Sequence, residues 1–499
     1  MPDITPWSSV EQFRTTLLPD WMPPEDRQRI AAYATFEDLY FSNPFGPDGQ
    51  ATLKLSTGEY PAVYLPDAQT IVNTTAYYLL RGLLIEAQEG PPEFAEALTG
   101  FLIREEFSSR FGIAKLSGVC RGDWFMHITA DPSKPPGSRI ALHSVHPSAV
   151  VPVYNADNLD QIDALHLVET FTEGRESKEV VRRLTYRYER TAGATRRVLV
   201  SEGIFDPADK VTWYQEGGRP IRVTIPEHYL PDPIDTIPVY HYPNRPWQGE
   251  PFGSSELRGV EGLYATIGQQ LTDAGTALSL EGLGVWQTER PVPDDRIYPG
   301  MVVQGAISRV KGIDDISPVV DYIQLLRGAA FEATGTSDIA RGLVDVSVAE
   351  SGVALALRFV PTLAKLELRE LKALDRLRQM WFDFRAWWRA FEGADVSAAQ
   401  ITPRLGEKLP FNQTDFLAAL DFALKNNLVD TDFARDELRR RLGWDIPADM
   451  GDRVLRTVSS LTAARDFGGG PEADGEPDGQ EGGSNGDTGA DQDGTGQGR

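Results

Sequence analysis

The chain has 499 residues, about three ordinary domain lengths, with 73 Asp and Glu against 49 Lys and Arg, a net charge of -24 and 41% hydrophobic residues. So acidic a balance argues against a protein that grips nucleic acid through a basic surface, and the most apolar stretches, 76–86 and 353–360, fall short of the roughly 18 residues a membrane span needs. The opening MPDITPWSSVEQF has neither the basic start nor the apolar stretch of a secretion signal, and the single Cys120 permits no internal disulfide and fits a reducing compartment.

Residues 1–45 read as an N-terminal arm with one helix, about 25–40, opened by Pro23-Pro24. Residues 70–122 read as mostly helical, with Phe94, Leu98, Phe101 and Leu102 at helical spacing. From about 124 to 242 the period changes to two. Leu184-Thr-Tyr186-Arg-Tyr188-Glu alternates, as does Ile162-Asp-Ala164, and a turn at 191–194 precedes Val198-Leu-Val200. That pattern predicts an antiparallel, hairpin-rich sheet.

Next comes Pro251-Phe-Gly253-Ser-Ser255, with Ser255 as the expected N-cap of a helix and Glu256 in its first turn. Leu257, Val260, Tyr264, Ile267, Leu271, Ala274 and Leu278 form a heptad seam beside Gly268, Gly275 and Gly282. Those glycines fit either a close approach of neighbouring backbones or a locally weak helix. Two β-like stretches, 285–288 and 301–304, flank a loop at 291–300, and a short helix covers about 318–333. Residues 334–350 have no helical apolar stripe and contain Asp338, Arg341, Asp345 and Glu350. A long helix then runs from 351 towards 391, with a kink expected at Pro361. Small helices at 414–425 and 431–442 follow, and the tail has twelve glycines and eight acids between 468 and 499, a composition that predicts disorder. The fold class read from this order is α+β.

Catalytic signatures are sparse. There is no Gly-Lys-Ser/Thr phosphate loop, no HExxH and no cysteine pair for zinc, and no Gly-x-Ser-x-Gly elbow occurs ahead of the glycine-rich tail, where Gly482-Gly-Ser-Asn-Gly486 matches the pattern by composition alone. His143 and His146 read as strand and turn positions rather than a metal pair, because Pro147 ends any helix there. The adjacent acids Asp294-Asp295 and Asp314-Asp315 read as solvated loop residues. Trp381, Phe384, Trp387, Trp388 and Phe391 sit at helical spacing and read as core or subunit interface.

Three segments resemble portal proteins of tailed bacteriophages. They are Asn244-Arg-Pro-Trp-Gln-Gly-Glu-Pro-Phe-Gly-Ser-Ser-Glu-Leu257 ahead of a helix, Glu350-Ser-Gly-Val-Ala-Leu-Ala-Leu357 opening the long helix, and Leu409-Pro-Phe with Asn427-Leu-Val-Asp-Thr431. With the Gly122-Asp-Trp-Phe-Met-His-Ile-Thr-Ala-Asp131 strand, the likeness covers roughly 60–460. It departs from the common pattern in its glycine-rich helix and in a short segment after it.

The resemblance implies a homo-oligomeric ring, usually a dodecamer, at one capsid vertex of a virion assembled in the host bacterial cytoplasm. Double-stranded DNA would pass through its channel without sequence specificity. Partners would be the terminase large subunit, head-completion or adaptor proteins, and the major capsid protein and scaffold; no membrane, cofactor, metal or catalytic residue is implied. By position, 1–250 would be arm and wing, 251–283 the first stem helix, 284–317 the clip and 318–333 the second stem helix. A tunnel loop at 334–350, a wing helix at 351–392, a crown at 393–466 and the tail at 467–499 would complete it.

An acidic channel wall repels phosphates and keeps DNA sliding. Glu261, Asp273, Glu281, Asp338, Asp345 and Glu350 are therefore expected to face the channel, with Arg341 as a transient phosphate contact. In the clip segment, Arg290, Asp294, Asp295, Arg296, Arg309 and Lys311 are expected to dock the terminase or adaptor. Two other classes stand against this: a carboxylate-dependent glycoside hydrolase, with two acids facing one cleft, and a capsid or baseplate component that never meets DNA.

Overall fold

In the computed structural model the described residues are 24–41, 65–80, 83–88, 90–155, 161–173, 178–189, 196–207, 218–283, 286–288, 307–309, 316–341, 352–406, 413–426 and 428–442. The chain divides into two units, Met1–Leu409 and Pro410–Arg499.

In the first unit, α1 (Pro24–Phe41) and α2 (Asp67–Leu80) are followed by β1 (Leu84–Gln88), α3 (Pro92–Arg104) and α4 (Phe107–Arg121). The short strand β1 interrupts what reads as continuous helix; it pairs antiparallel with Gln400–Arg404, so its pairing signal lies more than 300 residues away. Phe94, Leu98 and Phe101 face inward from α3 as their spacing predicts. Gly122 ends α4 in the left-handed region at φ 113°, donating its N–H to the Gly118 carbonyl.

The alternating section gives eight strands: β2 (Asp123–Ala130), β3 (Ile140–Val145), β4 (Val150–Tyr154), β5 (Ile162–Glu173), β6 (Lys178–Glu189), β7 (Arg197–Phe205), β8 (Arg222–Tyr229) and β9 (Val239–Pro243). Strands β4 to β8 form an antiparallel meander, and β3-β2-β9 a separate antiparallel sheet. Residues 191–194 lie outside the described residues. Leu165, Leu167, Leu184, Tyr186, Val198 and Val200 turn one face of the meander into the main core.

The third section begins with α5 (Glu261–Leu283), β10 (Trp286–Thr288), β11 (Ile307–Arg309) and α6 (Ser317–Ala333). It closes with α7 (Gly352–Glu392) and β12 (Gln400–Arg404). Two details correct the sequence reading. Helix α5 starts at Glu261, six residues after Ser255, because Gly259 at φ 96° breaks the helical path. Ser255 instead caps the preceding turn, its Oγ accepting from Leu257 N at 3.0 Å. The partner of β10 is Ile307–Arg309, with Trp286 opposite Arg309; residues 301–304 lie outside the described residues.

Helix α7 runs through Pro361 as one 41-residue element. Its residues Trp381, Phe384 and Trp387 are fully buried, with Trp388 and Phe391 beside them, so the aromatic run is core. Phe384 packs against Phe101, and Trp388 against Phe94, which seats the second half of α7 on α3.

The second unit contains α8 (Gln413–Lys425) and α9 (Thr431–Leu442), packed through Leu420, Leu424, Ala434 and Leu438. The Asp430 carboxylate accepts from Phe433 N at 2.7 Å and caps α9, which gives the Leu-Val-Asp-Thr stretch its local role. The tail at 467–499 lies outside the described residues.

Candidate functional site

Two of the sequence segments singled out above interlock at the foot of α5. Asn244 N donates to the Gly122 carbonyl at 2.7 Å, and Ser254 N to the Asn244 carbonyl at 2.7 Å. Asp123, fully buried, accepts from Tyr33 Oη at 2.6 Å and Gly253 N at 2.6 Å, and its other close partner is His241 Nε2 at 2.7 Å. The backbones approach so closely that a side chain at Gly253 would overlap the Asn244 and Gly122 carbonyls. Glycine there is a steric requirement.

Glu256 follows directly and is 1% exposed. Its carboxylate accepts from Lys365 Nζ at 2.9 Å and pairs with the Arg369 guanidinium, one turn further along α7. Burial alone would raise the Glu256 pKa, but the Arg369 and Lys365 charges outweigh it and hold the group below the usual carboxylate range. Lys365 also donates to Thr75 Oγ1 on α2 at 3.1 Å, and to the Thr334 carbonyl at 2.7 Å and Thr336 Oγ1 at 3.3 Å just after α6. Thr362 adds a hydrogen bond to the Gly335 carbonyl at 3.0 Å. One cluster thus joins α2, the entry to α5, the exit of α6 and α7. Lys115 on α4, 2% exposed, completes it; burial first, and the nearby Arg369 second, lower its pKa to about 7.

Above this base, α6 runs back alongside α5. Leu257, Val260, Tyr264 and Ile267 share one apolar cluster with Ile323, Ala330 and Phe331. Further out the seam is uncovered: Leu278, Val320, Tyr322 and Leu325 are exposed, at 51%, 45%, 44% and 68%. Among the described residues, nothing beyond the helix's own backbone and the adjoining residues lies within 4 Å of where a side chain at Gly275 would start. Between them α5 and α6 carry Glu261, Asp273, Glu281, Asp321 and Glu332 against a single base, Arg327. That base is taken up by Asp67 of α2, in a bidentate pair at 2.7 and 2.8 Å.

Of the residues predicted to face a channel, Asp273 is exposed, accepting from Gln269 one turn back at 2.8 Å. Glu261 is half-buried and accepts from Gly259 N at 2.6 Å. Glu281 lies on α5 near its end. Asp338 is exposed and ion-paired with Arg341, whose guanidinium lies over the Phe331 ring at 3.7 Å. Asp345 and Glu350 lie outside the described residues, as do Arg290, Asp294, Asp295, Arg296 and Lys311; Arg309 is placed by its backbone in β11.

The residues that organise this region, Lys115, Lys365, Arg369, Asp67 and Arg327, were absent from the sequence reading. The local signal is weak: Lys365 and Arg369 are basic residues four apart on one helical face, but Glu367 and Glu370 beside them offer local counter-charges that hide the distant one.

His143 lies in β3 directly opposite His127, and His146 caps the short turn at Pro147–Ala149. No group of three His, Cys, Asp or Glu is placed to hold a metal ion among the described residues. Three acids, Glu250, Asp375 and Asp383, line a cleft beside α7. Asp375 and Asp383 stand eight helical residues apart, about 12 Å along the axis, beyond the roughly 5–10 Å of paired glycosidase carboxylates. No helix of the described residues is long and apolar enough to cross a membrane.

No protein-family model matches the chain, and no curated protein matches it. Among solved structures it is similar to a chain from the "Neck of empty GTA particle computed with C6 symmetry", with 12% identity, 88% of this chain and 95% of that chain covered, and a TM-score of 0.39. It is also similar to one from the "Virion of native gene transfer agent (GTA) particle", with 11% identity, coverage of 90% and 99%, and a TM-score of 0.37. A third, from the "Neck of native GTA particle computed with C12 symmetry", has 12% identity, coverage of 88% and 95%, and a TM-score of 0.36.

Proposed function

We propose that this chain is a portal-type subunit, which assembles with copies of itself into a ring at a capsid vertex and forms the channel for DNA packaging and ejection. The observation that carries the reading is the helix pair α5 and α6, five acids and one base, with the base neutralised by Asp67. Such a pair, repeated around a ring, lines a bore with negative charge. A duplex in that bore is repelled from every side and finds no cation to release its counterions against, so it slides rather than sticks.

The uncovered apolar residues Leu278, Val320, Tyr322 and Leu325 support the same reading, since a ring gives each helix pair a neighbour on both flanks. In this proposal 284–317 form the clip, which docks the terminase and later the adaptor proteins, and 334–350 form the tunnel loop. The cluster at Glu256 is the anchor from which both stem helices and that loop project. The chain acts as a conduit and performs no catalysis.

Native mass measurement and negative-stain imaging of the purified chain test this. A closed ring of about a dozen copies with a central hole wider than a DNA duplex is the expected result. A monomer at all concentrations overturns it, and a ring without such a hole favours a structural capsid or baseplate component that does not meet DNA.

A further inference from the structure

A second feature lies beside α7, where residues between Leu368 and Asp383 line a cleft. Strand β9 is an edge strand: it pairs with β2 on one side, and among the described residues no strand pairs with its other side. In an antiparallel ladder alternate residues turn both backbone groups to the same partner. Ile128 N donates to the Pro238 carbonyl, and Asn244 N to the Gly122 carbonyl. The even-numbered residues therefore face β2, and the N–H and C=O groups of Val239 and His241 face outward.

That outward edge forms part of a cleft of about 900 Å³. Its opposite wall is α7, from Leu368 to Asp383, and Trp247 stands at its mouth. Trp247, Leu368 and Leu371 are 77%, 61% and 54% exposed. A free strand edge beside uncovered apolar side chains is the arrangement that accepts an extended segment by strand addition.

What covers it is indicated by where α1 starts. In the first turns of α1, Arg29 lies over the Phe252 ring at 4.3 Å, and Phe252 packs on Tyr154 and His241, both of which line the cleft. The 23 residues before Pro24 thus begin close to the cleft, and fully extended they reach up to about 75 Å. Their last part is Leu17-Leu-Pro-Asp-Trp-Met-Pro23. Prolines at 19 and 23 bias Leu18 and Met22 to extended geometry. Being four apart, both prolines fall on the same side of a strand, so the N–H groups of Leu18, Asp20 and Met22 remain on the other side for pairing.

We propose that residues 1–23 dock in the cleft of their own chain, with an extended stretch adding as a further strand on β9 and apolar side chains covering Trp247, Leu368 and Leu371.

Two measurements on the full chain test this. Residue-resolved hydrogen exchange of the wild type should show the Val239 and His241 amides slowed at least about 100-fold, in the range of the β2-paired Tyr240 and Tyr242 amides. Exchange of Val239 and His241 at unprotected rates overturns the proposal. Replacing Leu371 by the photo-crosslinker p-benzoylphenylalanine, at an exposed position, should join it to a peptide from residues 1–23 within a single chain. Cross-links to any other segment, or a product containing two chains, overturn it even if the amides are protected.

Discussion

The Glu256 carboxylate and the Lys365 ammonium meet at 2.9 Å across 109 residues of sequence, with Arg369 on the second carboxylate oxygen. This contact fixes α7 to the foot of α5. Glu256→Gln would leave two buried cations without a counter-charge, and breaking a buried pair in this way costs about 3–5 kcal/mol. The midpoint of chemical denaturation should fall accordingly. A loss below about 0.5 kcal/mol, within the ordinary range of surface substitutions, would show that the pair contributes little.

The neighbouring glycine gives a steeper prediction. Gly253→Ala places a methyl group against the carbonyl oxygens of Asn244 and Gly122, backbone atoms that cannot rotate away. The turn must open, which breaks the bonds from Gly253 N to Asp123 and from Ser254 N to Asn244. The expected outcome is a loss of several kcal/mol and little soluble, folded protein. Gly249→Ala, at a glycine with open space around it, is the matched control for solvent-exposed substitution in the same loop. Its φ of 82° makes it costly by about 1 kcal/mol, well short of the effect at Gly253.

Lys115 supplies a pH signature. Its pKa falls from an unfolded value near 10.4 to about 7 in the fold, through burial and the adjacent Arg369. Between those values the unfolded chain binds the extra proton, so stability rises with pH across that window and levels off below about 7. The slope from this one group is at most about 1.4 kcal/mol per pH unit. Lys115→Met should remove that slope between pH 7.5 and 10. Guanidinium denaturation of both chains across this range measures it; identical slopes would mean that Lys115 keeps an ordinary pKa.

The sequence made the elements legible where local physics decides them. Helices α6, α7, α8 and α9 begin and end within a residue or two of where spacing and caps put them, and period two marked the sheets. What it did not reveal depends on long-range partners. Strand β1 is five residues whose mate is β12, and β11 is three residues, too short to show a period. The start of α5 was misplaced because Ser255 looks like a cap from its neighbours alone, whereas Gly259 decides the path. The Glu256 cluster was hidden for the same reason: the acid looks like a helix-dipole partner until α7 is brought alongside it.

The tunnel-loop reading gives the last prediction. Asp338 pairs with Arg341, whose guanidinium is stacked on Phe331, so the aspartate keeps the arginine occupied and, in the proposed channel, would also repel phosphate. Asp338→Asn removes one charge and frees the arginine to turn towards a passing duplex. Combined with Asp345→Asn, the change takes residues 334–350 from three acids against one base to one against one, so the segment no longer repels phosphate and leaves Arg341 available to it. Packaging should then slow, and the yield of packaged DNA should fall by a factor of about two or more, with ring assembly intact because neither residue belongs to the apolar cluster of α5 and α6. Adding Arg341→Gln should restore much of the loss. Unchanged packaging by the double variant would remove residues 338–345 from the channel and leave the acids of α5 and α6 as its lining.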